Sequence, residues 1–278
     1  MIELRTDLPL PDGVDVEVAS DQQTLVATDG GRTVGAAVWR LEGGLATVAA
    51  IVGTPGADRD TEVLDAVRRR AAGAGLTTLV AEIGSEQTAL LAAVQDATVL
   101  SRYMVKPVPT TAPELPRGFG ARDMRPDEYG AWRQLAVEEY AVADLARSGG
   151  DRALALQRSL EAYARFLPDG AATADTRLLT LTLDGAPAGD LWVRHHRARH
   201  REDGATDQTF TFDVEVAQAV RGRGLGRAAM LVAERAALEV GDRQLGLNVF
   251  GDNLVATGLY RSLGYHARST VFDVPLGS

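Results

Sequence analysis

VAQAVRGRGLG, residues Val216 to Gly226, decides how the rest of this chain is read. Its end, Arg221-Gly222-Arg223-Gly224-Leu225-Gly226, places three glycines and three arginines within the seven residues that close at Arg227. A strand-like run precedes it: in Thr209 to Val216, Phe210, Phe212, Val214 and Val216 alternate with Thr211, Asp213 and Glu215. A helical pattern follows, with Leu225, Ala229, Val232 and Ala236 on one face and a stop near Gly241. Strand, glycine loop and helix in that order make a polyanion site. Glycines let backbone N–H groups turn toward a ligand, and the helix adds its unpaired first-turn N–H groups and the positive end of its dipole.

Bulk composition narrows the ligand. The 278 residues carry a net charge of −9, which argues against a nucleic-acid grip and suits an amine-bearing partner. With no cysteine there are no disulfides, thiolate metal sites or cysteine nucleophiles. The start MIELRTDLPLPDG has neither a basic head nor an apolar core, and no apolar run reaches membrane-spanning length. The expectation is a cytoplasmic protein with no membrane and no nucleic-acid partner.

Pro107, Pro109, Pro113 and Pro116 lie within KPVPTTAPELPRG. Such a run disfavours helix and interior strand and reads as a linker over 107–118, dividing the chain into domains 1–106 and 119–278. In the second, helices are expected over Pro126 to Ser148 and Arg152 to Phe166. Strands follow at Arg177 to Leu183, Ala188 to Arg194 and Thr209 to Val216, then the loop and its helix. A strand at Leu245 to Phe250, a helix at Asn253 to Leu263 and a strand at Ala267 to Val274 complete it. The first domain repeats the tail of this order, with strands at 23–28, 33–40 and 45–52, a helix at Glu62 to Ala72, a strand at Leu79 to Ile83, a helix at Gln87 to Asp96 and a strand near Leu100 to Val105. The fold class is α/β (α+β): two tandem domains, each a mixed, mostly antiparallel twisted sheet flanked by helices.

Arg221-x-x-Gly224-x-Gly226 after a strand ending at Val216 resembles the acetyl-CoA pyrophosphate loop of GNAT-type N-acetyltransferases. LGLNVFGDNLVATGLYRSLGY (245–265) resembles their second motif. The resemblance covers about 119–275 and implies acetyl-CoA as co-substrate, with no metal. Backbone N–H groups of Arg221, Gly222, Arg223, Gly224, Leu225, Gly226 and Arg227 would cradle the pyrophosphate. The backbone of Val214 and Val216 would pair with the pantetheine arm. Asn253 would bond the cofactor's amide region, or serve as an N-cap. Tyr260 would sit near the sulfur as general acid, or be a core tyrosine. The implied reaction is direct attack of a primary amine, small molecule or peptide, on the thioester in a ternary complex. A non-catalytic sensor of CoA is the alternative, and a nucleotide binder a third reading.

The general base stays open. Asp213 and Glu215 are close in sequence to the site, yet strict alternation puts them on the face opposite Phe210 and Phe212. A water chain, Glu138, Glu139 or Asp144 are the other candidates. His195, His196 and His200 read as an exposed hairpin tip. Trp132 and Trp192 read as core or acceptor-pocket wall. Placing Gly75 on Gly241 sets Pro55, Asp58 and Asp60 where Arg221, Gly224 and Gly226 stand, and Gln87 and Val94 where Asn253 and Tyr260 stand. Carboxylates repel a pyrophosphate, so the first domain reads as a degenerate GNAT-like copy without a cofactor site, free to support the acceptor site or a homodimer. An unrelated small α/β domain is the alternative.

Overall fold

The computed structural model describes residues 2–10, 20–42, 45–54, 59–148, 151–196 and 207–276. Up to residue 107 the elements are β1 (Ile2–Arg5), β2 (Gln23–Asp29), β3 (Arg32–Glu42), β4 (Leu45–Gly53), α1 (Asp60–Gly73), β5 (Thr78–Gly84), α2 (Thr88–Ala93) and β6 (Thr98–Pro107). From residue 119 they are β7 (Phe119–Asp123), α3 (Pro126–Ser148), α4 (Arg152–Phe166), β8 (Thr176–Leu183), β9 (Ala186–His196) and β10 (Gln208–Val216), then α5 (Leu225–Val240), β11 (Gln244–Phe250), α6 (Leu254–Ser262) and β12 (His266–Pro275). The short strands β1 and β7 are additions to the sequence-based expectation. Each is only four or five residues long, too short for alternation to register.

The chain divides into two compact units: Met1–Met104 with Val249–Leu254 and Ala267–Ser278, and Val105–Asn248 with Val255–His266. In unit 1 the strands run β1-β2-β3-β4-β5-β12-β6. Pairs from β1 to β4 are antiparallel, β4 and β5 are parallel, and β12 is antiparallel to β5 from Ser269↔Gly84 to Pro275↔Thr78. Phe272 and Val274 of β12 enter the same buried cluster as Leu25, Ile51, Leu64 and Leu79. The final strand of the chain is thus part of the first unit's core.

Unit 2 has the order β7-β8-β9-β10-β11, antiparallel up to β10 and parallel between β10 and β11. Both units therefore contain the same step, a strand, a helix and a parallel strand: β4–α1–β5 and β10–α5–β11. A parallel pair needs such a crossover, and the helix must then cover the sheet. In α5, Leu225, Ala229, Val232, Ala233 and Ala236 are buried, so its apolar stripe is the covering face. At its end Gly241 adopts φ 77°, and the N–H of Asp242 closes on Ala237 O at 3.0 Å, a left-handed C-cap. The opposite face of β9 and β10 carries α3 and α4. There Trp132, Val137, Tyr163 and Trp192 form one buried cluster.

Helix α4 begins on a side-chain cap: Asp151 accepts from Ala153 N–H at 2.6 Å. Asp151→Ala is expected to lower stability by about 1 kcal/mol, read as a shift in the urea midpoint at an unchanged slope.

Candidate functional site

The site is organised by β10. Its antiparallel ladder with β9 runs the full length from Gln208 to Val216, whereas its parallel ladder with β11 covers only Gln208–Thr211. Past Thr211 the two parallel strands no longer pair. Ala217 N–H donates to Ala188 O at 2.9 Å, which fixes the phase of the antiparallel hydrogen bonds. Residues alternate between bonded and non-bonded pairs, so Val214 and Val216 turn their N–H and C=O away from β9, toward the edge that β11 has left.

A bulge between Thr211 and Asp213 changes which side chains share a face. Before it, Phe210 is opposite Arg194; after it, Asp213 is opposite Trp192 and Glu215 opposite Asp190. Phe212, the extra residue, stacks on Trp192 with centroids 4.6 Å apart and planes 18° apart. Cross-strand partners point the same way. Phe210, Phe212, Asp213 and Glu215 therefore all face α3 and α4. This corrects the expectation that the two carboxylates lie opposite the phenylalanines: one inserted residue reverses the two-residue alternation.

Carboxylates dominate this face. Burial pushes Asp213 up to about 6, and the charges of Glu215, Glu139 and Asp190 add to it. Asp190 is likewise pushed up to about 6, by burial and then by Glu215 and Glu128. Glu139 of α3 is raised by burial and by Glu215. Glu138 instead accepts from Gln134 at 3.3 Å, and Asp144 faces Arg158 at 4.0 Å. Of the helix carboxylates weighed as a base, Glu139 is the one coupled to this group. The wall beside Asp213 is aromatic, with Trp192 in edge contact with Trp132 at 5.9 Å and 5.6 Å from Tyr163.

The glycine loop ends β10 and starts α5. Gly222 and Gly224 sit at φ 77° and 76°, left-handed values that glycine takes without strain. No side chain caps α5. Arg221 N–H is bonded to Gln218 O at 3.3 Å and Arg227 N–H to Gly224 O at 3.1 Å. The N–H groups of Gly222, Arg223, Gly224, Leu225 and Gly226 have no backbone acceptor among the described residues. The arginine side chains behave differently from one another. Arg221 folds back, Nε donating to Val216 O at 2.7 Å and Nη2 to Glu215 at 3.2 Å. Arg227 donates to Ser262 Oγ at 2.5 Å, tying the first turn of α5 to α6.

Tyr260 of α6 is buried at 7% exposure. Burial and then the charge of Asp213 push it up to about 12, so its hydroxyl keeps its proton at neutral pH. Its ring lies 5.8 Å from that of Tyr265, over which Lys106 Nζ sits at 5.7 Å while pairing with buried Glu234. Asn253 is exposed in the turn after β11, its N–H donating to Phe250 O at 3.1 Å.

His195 departs from its expected exposure. It is 7% exposed, with Nδ1 2.9 Å from Thr209 Oγ1 and 3.1 Å from Asp242, and Thr209 donates to Asp242 at 2.6 Å. Strand β9 runs on to His196, so His195 is a strand residue on the α5 face and not part of a hairpin tip. Sequence reasoning missed the trio because Asp242 is 47 residues away. His200, Pro55 and Asp58 lie outside the described residues. Asp60 does not: at the start of α1 its carboxylate accepts from Gly53 N–H at 2.5 Å. The protein thus supplies its own anion at that point of unit 1.

Comparisons with known proteins converge on one family. Residues 134–265 match the family model described as Acetyltransferase (GNAT) family. An uncharacterized N-acetyltransferase, YdgE, of Bacillus subtilis (strain 168) is 27% identical over 148 residues, covering 53% of this chain and 91% of that protein. In fold, the chain is similar to a GCN5-related N-acetyltransferase from Sphaerobacter thermophilus, with TM-score 0.59, 17% identity, and 96% and 84% of the two chains covered. It is also similar to a tandem GNAT protein from the clavulanic acid biosynthesis pathway, with TM-score 0.52, 19% identity, and 92% and 83% covered.

Proposed function

We propose that unit 2, most of which lies in the segment 134–265 that matches the acetyltransferase (GNAT) family model, moves an acetyl group from acetyl-CoA to a primary amine by direct attack. The observation that carries this reading is the parted edge of β10. Val214 and Val216 turn amide groups toward it, and the loop from Gly222 to Gly226 follows within a few residues. An extended arm carrying amides and ending in a pyrophosphate complements such a strip: strand-like hydrogen bonds along β10, then free N–H groups and a helix N-terminus for the phosphates.

Asp213 is the base in this reading. A carboxyl pushed up to about 6 is a stronger proton acceptor than an ordinary one and is still ionised at pH 7. The ammonium of the acceptor gives up a proton to it, directly or through water. The nitrogen lone pair then forms the N–C bond, and a β10 backbone N–H stabilises the carbonyl oxygen. The C–S bond breaks, the thiolate takes the proton of Tyr260, and the second proton that the nitrogen sheds as the amide forms returns to Tyr260 through water. The chain has no cysteine to carry an acyl group, in keeping with one ternary complex. The acceptor is a small-molecule or peptide amine.

Calorimetry with acetyl-CoA tests the reading: saturable binding is expected, and none at millimolar concentration would sink it. Tyr260→Phe should lower kcat about tenfold and leave the KM for acetyl-CoA unchanged. The effect is modest because burial has made this hydroxyl a weak acid. A thiol-release assay gives both constants.

A further inference from the structure

We propose that Arg221 links the two substrate sites: a bound pyrophosphate draws its guanidinium off β10, leaving the carboxylate face more strongly negative for the incoming ammonium. The inference rests on the function proposed above.

Arg221 engages two groups that the substrates also need. Its Nε holds Val216 O at 2.7 Å, one of the amide groups turned to the parted edge. Its Nη2 holds Glu215 at 3.2 Å, on the carboxylate face. That face is one electrostatic unit. Glu215 acts on Asp213 of the same strand, on Asp190 of β9 and on Glu139 of α3. Tyr163 of α4 and Tyr260 of α6 both feel Asp213. Arg122, whose charge acts on Asp190, is engaged by both oxygens of Glu128 at 2.7 Å, and Arg194, opposite Phe210, donates to Phe166 O at 3.3 Å. Arg221 is therefore the adjustable counter-ion among the described residues of this group.

Its hold is weak enough to release. Arg221 and Glu215 are 58% and 41% exposed in their side chains, and an exposed pair of this kind is easily exchanged. A pyrophosphate at the Gly222–Gly226 amides offers a guanidinium two charged groups in place of one, in a geometry that arginine matches. When the guanidinium leaves, Val216 O is free for the pantetheine arm and Glu215 loses its partner. The carboxylates then repel one another more, and an ammonium is attracted more strongly. By reciprocity, an amine bound there strengthens cofactor binding.

Proton uptake reads this coupling without knowledge of the acceptor. Carboxylates that lose a nearby cation ionise less readily, so near pH 6 they take up protons. The probe is dephospho-CoA, which retains the pyrophosphate but lacks the phosphomonoester that itself titrates near pH 6. Calorimetry in two buffers of different ionisation enthalpy should give an uptake on the order of half a proton per ligand. Arg221→Gln should remove most of that uptake, and Arg221→Lys should restore it. Equal uptake in the wild type and Arg221→Gln overturns the role of Arg221 and leaves the proposed function standing. Failure of the wild type to bind dephospho-CoA overturns both.

Discussion

Asp213→Asn is expected to lower kcat/KM about 1,000-fold while making the protein more stable at pH 8. Both effects come from one carboxyl. The catalytic loss follows from removing the proton acceptor beside the acceptor amine, and asparagine keeps the shape without the basicity. In the wild type, kcat/KM should rise with pH through about 6, because the base must be ionised. That limb belongs to Asp213 together with Asp190 and Glu139, whose carboxyls are all raised in this cluster. The stability gain has the opposite origin. The folded-state value of about 6 lies above the ordinary 3.8. A carboxyl shifted upward favours the folded state below its unfolded value, and that contribution is lost as pH rises through 6. At pH 8 the ionised group therefore destabilises the fold, by about 1–2 kcal/mol once its partial exposure is allowed for. The asparagine variant should unfold about 3 °C higher at pH 8 and with the wild type at pH 4. Unchanged turnover would remove Asp213 from the mechanism. A variant less stable at pH 8 would show that its main role is structural.

Gly224→Val should weaken acetyl-CoA binding about 100-fold, and Gly241→Val should not. The two glycines bracket α5 at nearly the same backbone angles, φ 76° and 77°, and a Cβ at either would meet nothing within 4 Å. A β-branched residue is a marked outlier there, so each variant bears a similar backbone strain of about 1–3 kcal/mol. Loss of stability should then be alike. Only at Gly224 does relief of the strain re-aim the N–H groups from Gly222 to Gly226. Calorimetric titration of both variants with acetyl-CoA separates the effects. Comparable affinities would show that the loop amides do not bind the cofactor.

Much of the arrangement was legible in the chain itself. The helix α5, its two bracketing glycines and the strand before it follow from periodicities of 3.6 and 2 and from glycine's freedom at positive φ. The long helices α3 and α4 begin and end where the pattern places them. These features depend on residues close together in sequence. The repeated order of strand, helix and parallel strand is equally local, because each crossover lies within one contiguous segment.

Tertiary structure decided what depends on distant partners. His195 could be read as exposed until Asp242 and Thr209 were brought to it across the α5 face. The faces of Asp213 and Glu215 turned on a bulge, which is defined by the register with β9 and leaves no mark in the alternation of β10 itself. The last strand, β12, was readable as a strand. Its pairing with β5 and its place in the core of unit 1 were not. Alternation says only that a strand has two faces. Which sheet accepts its edges is settled by backbone hydrogen bonds, and these carry no side-chain signature.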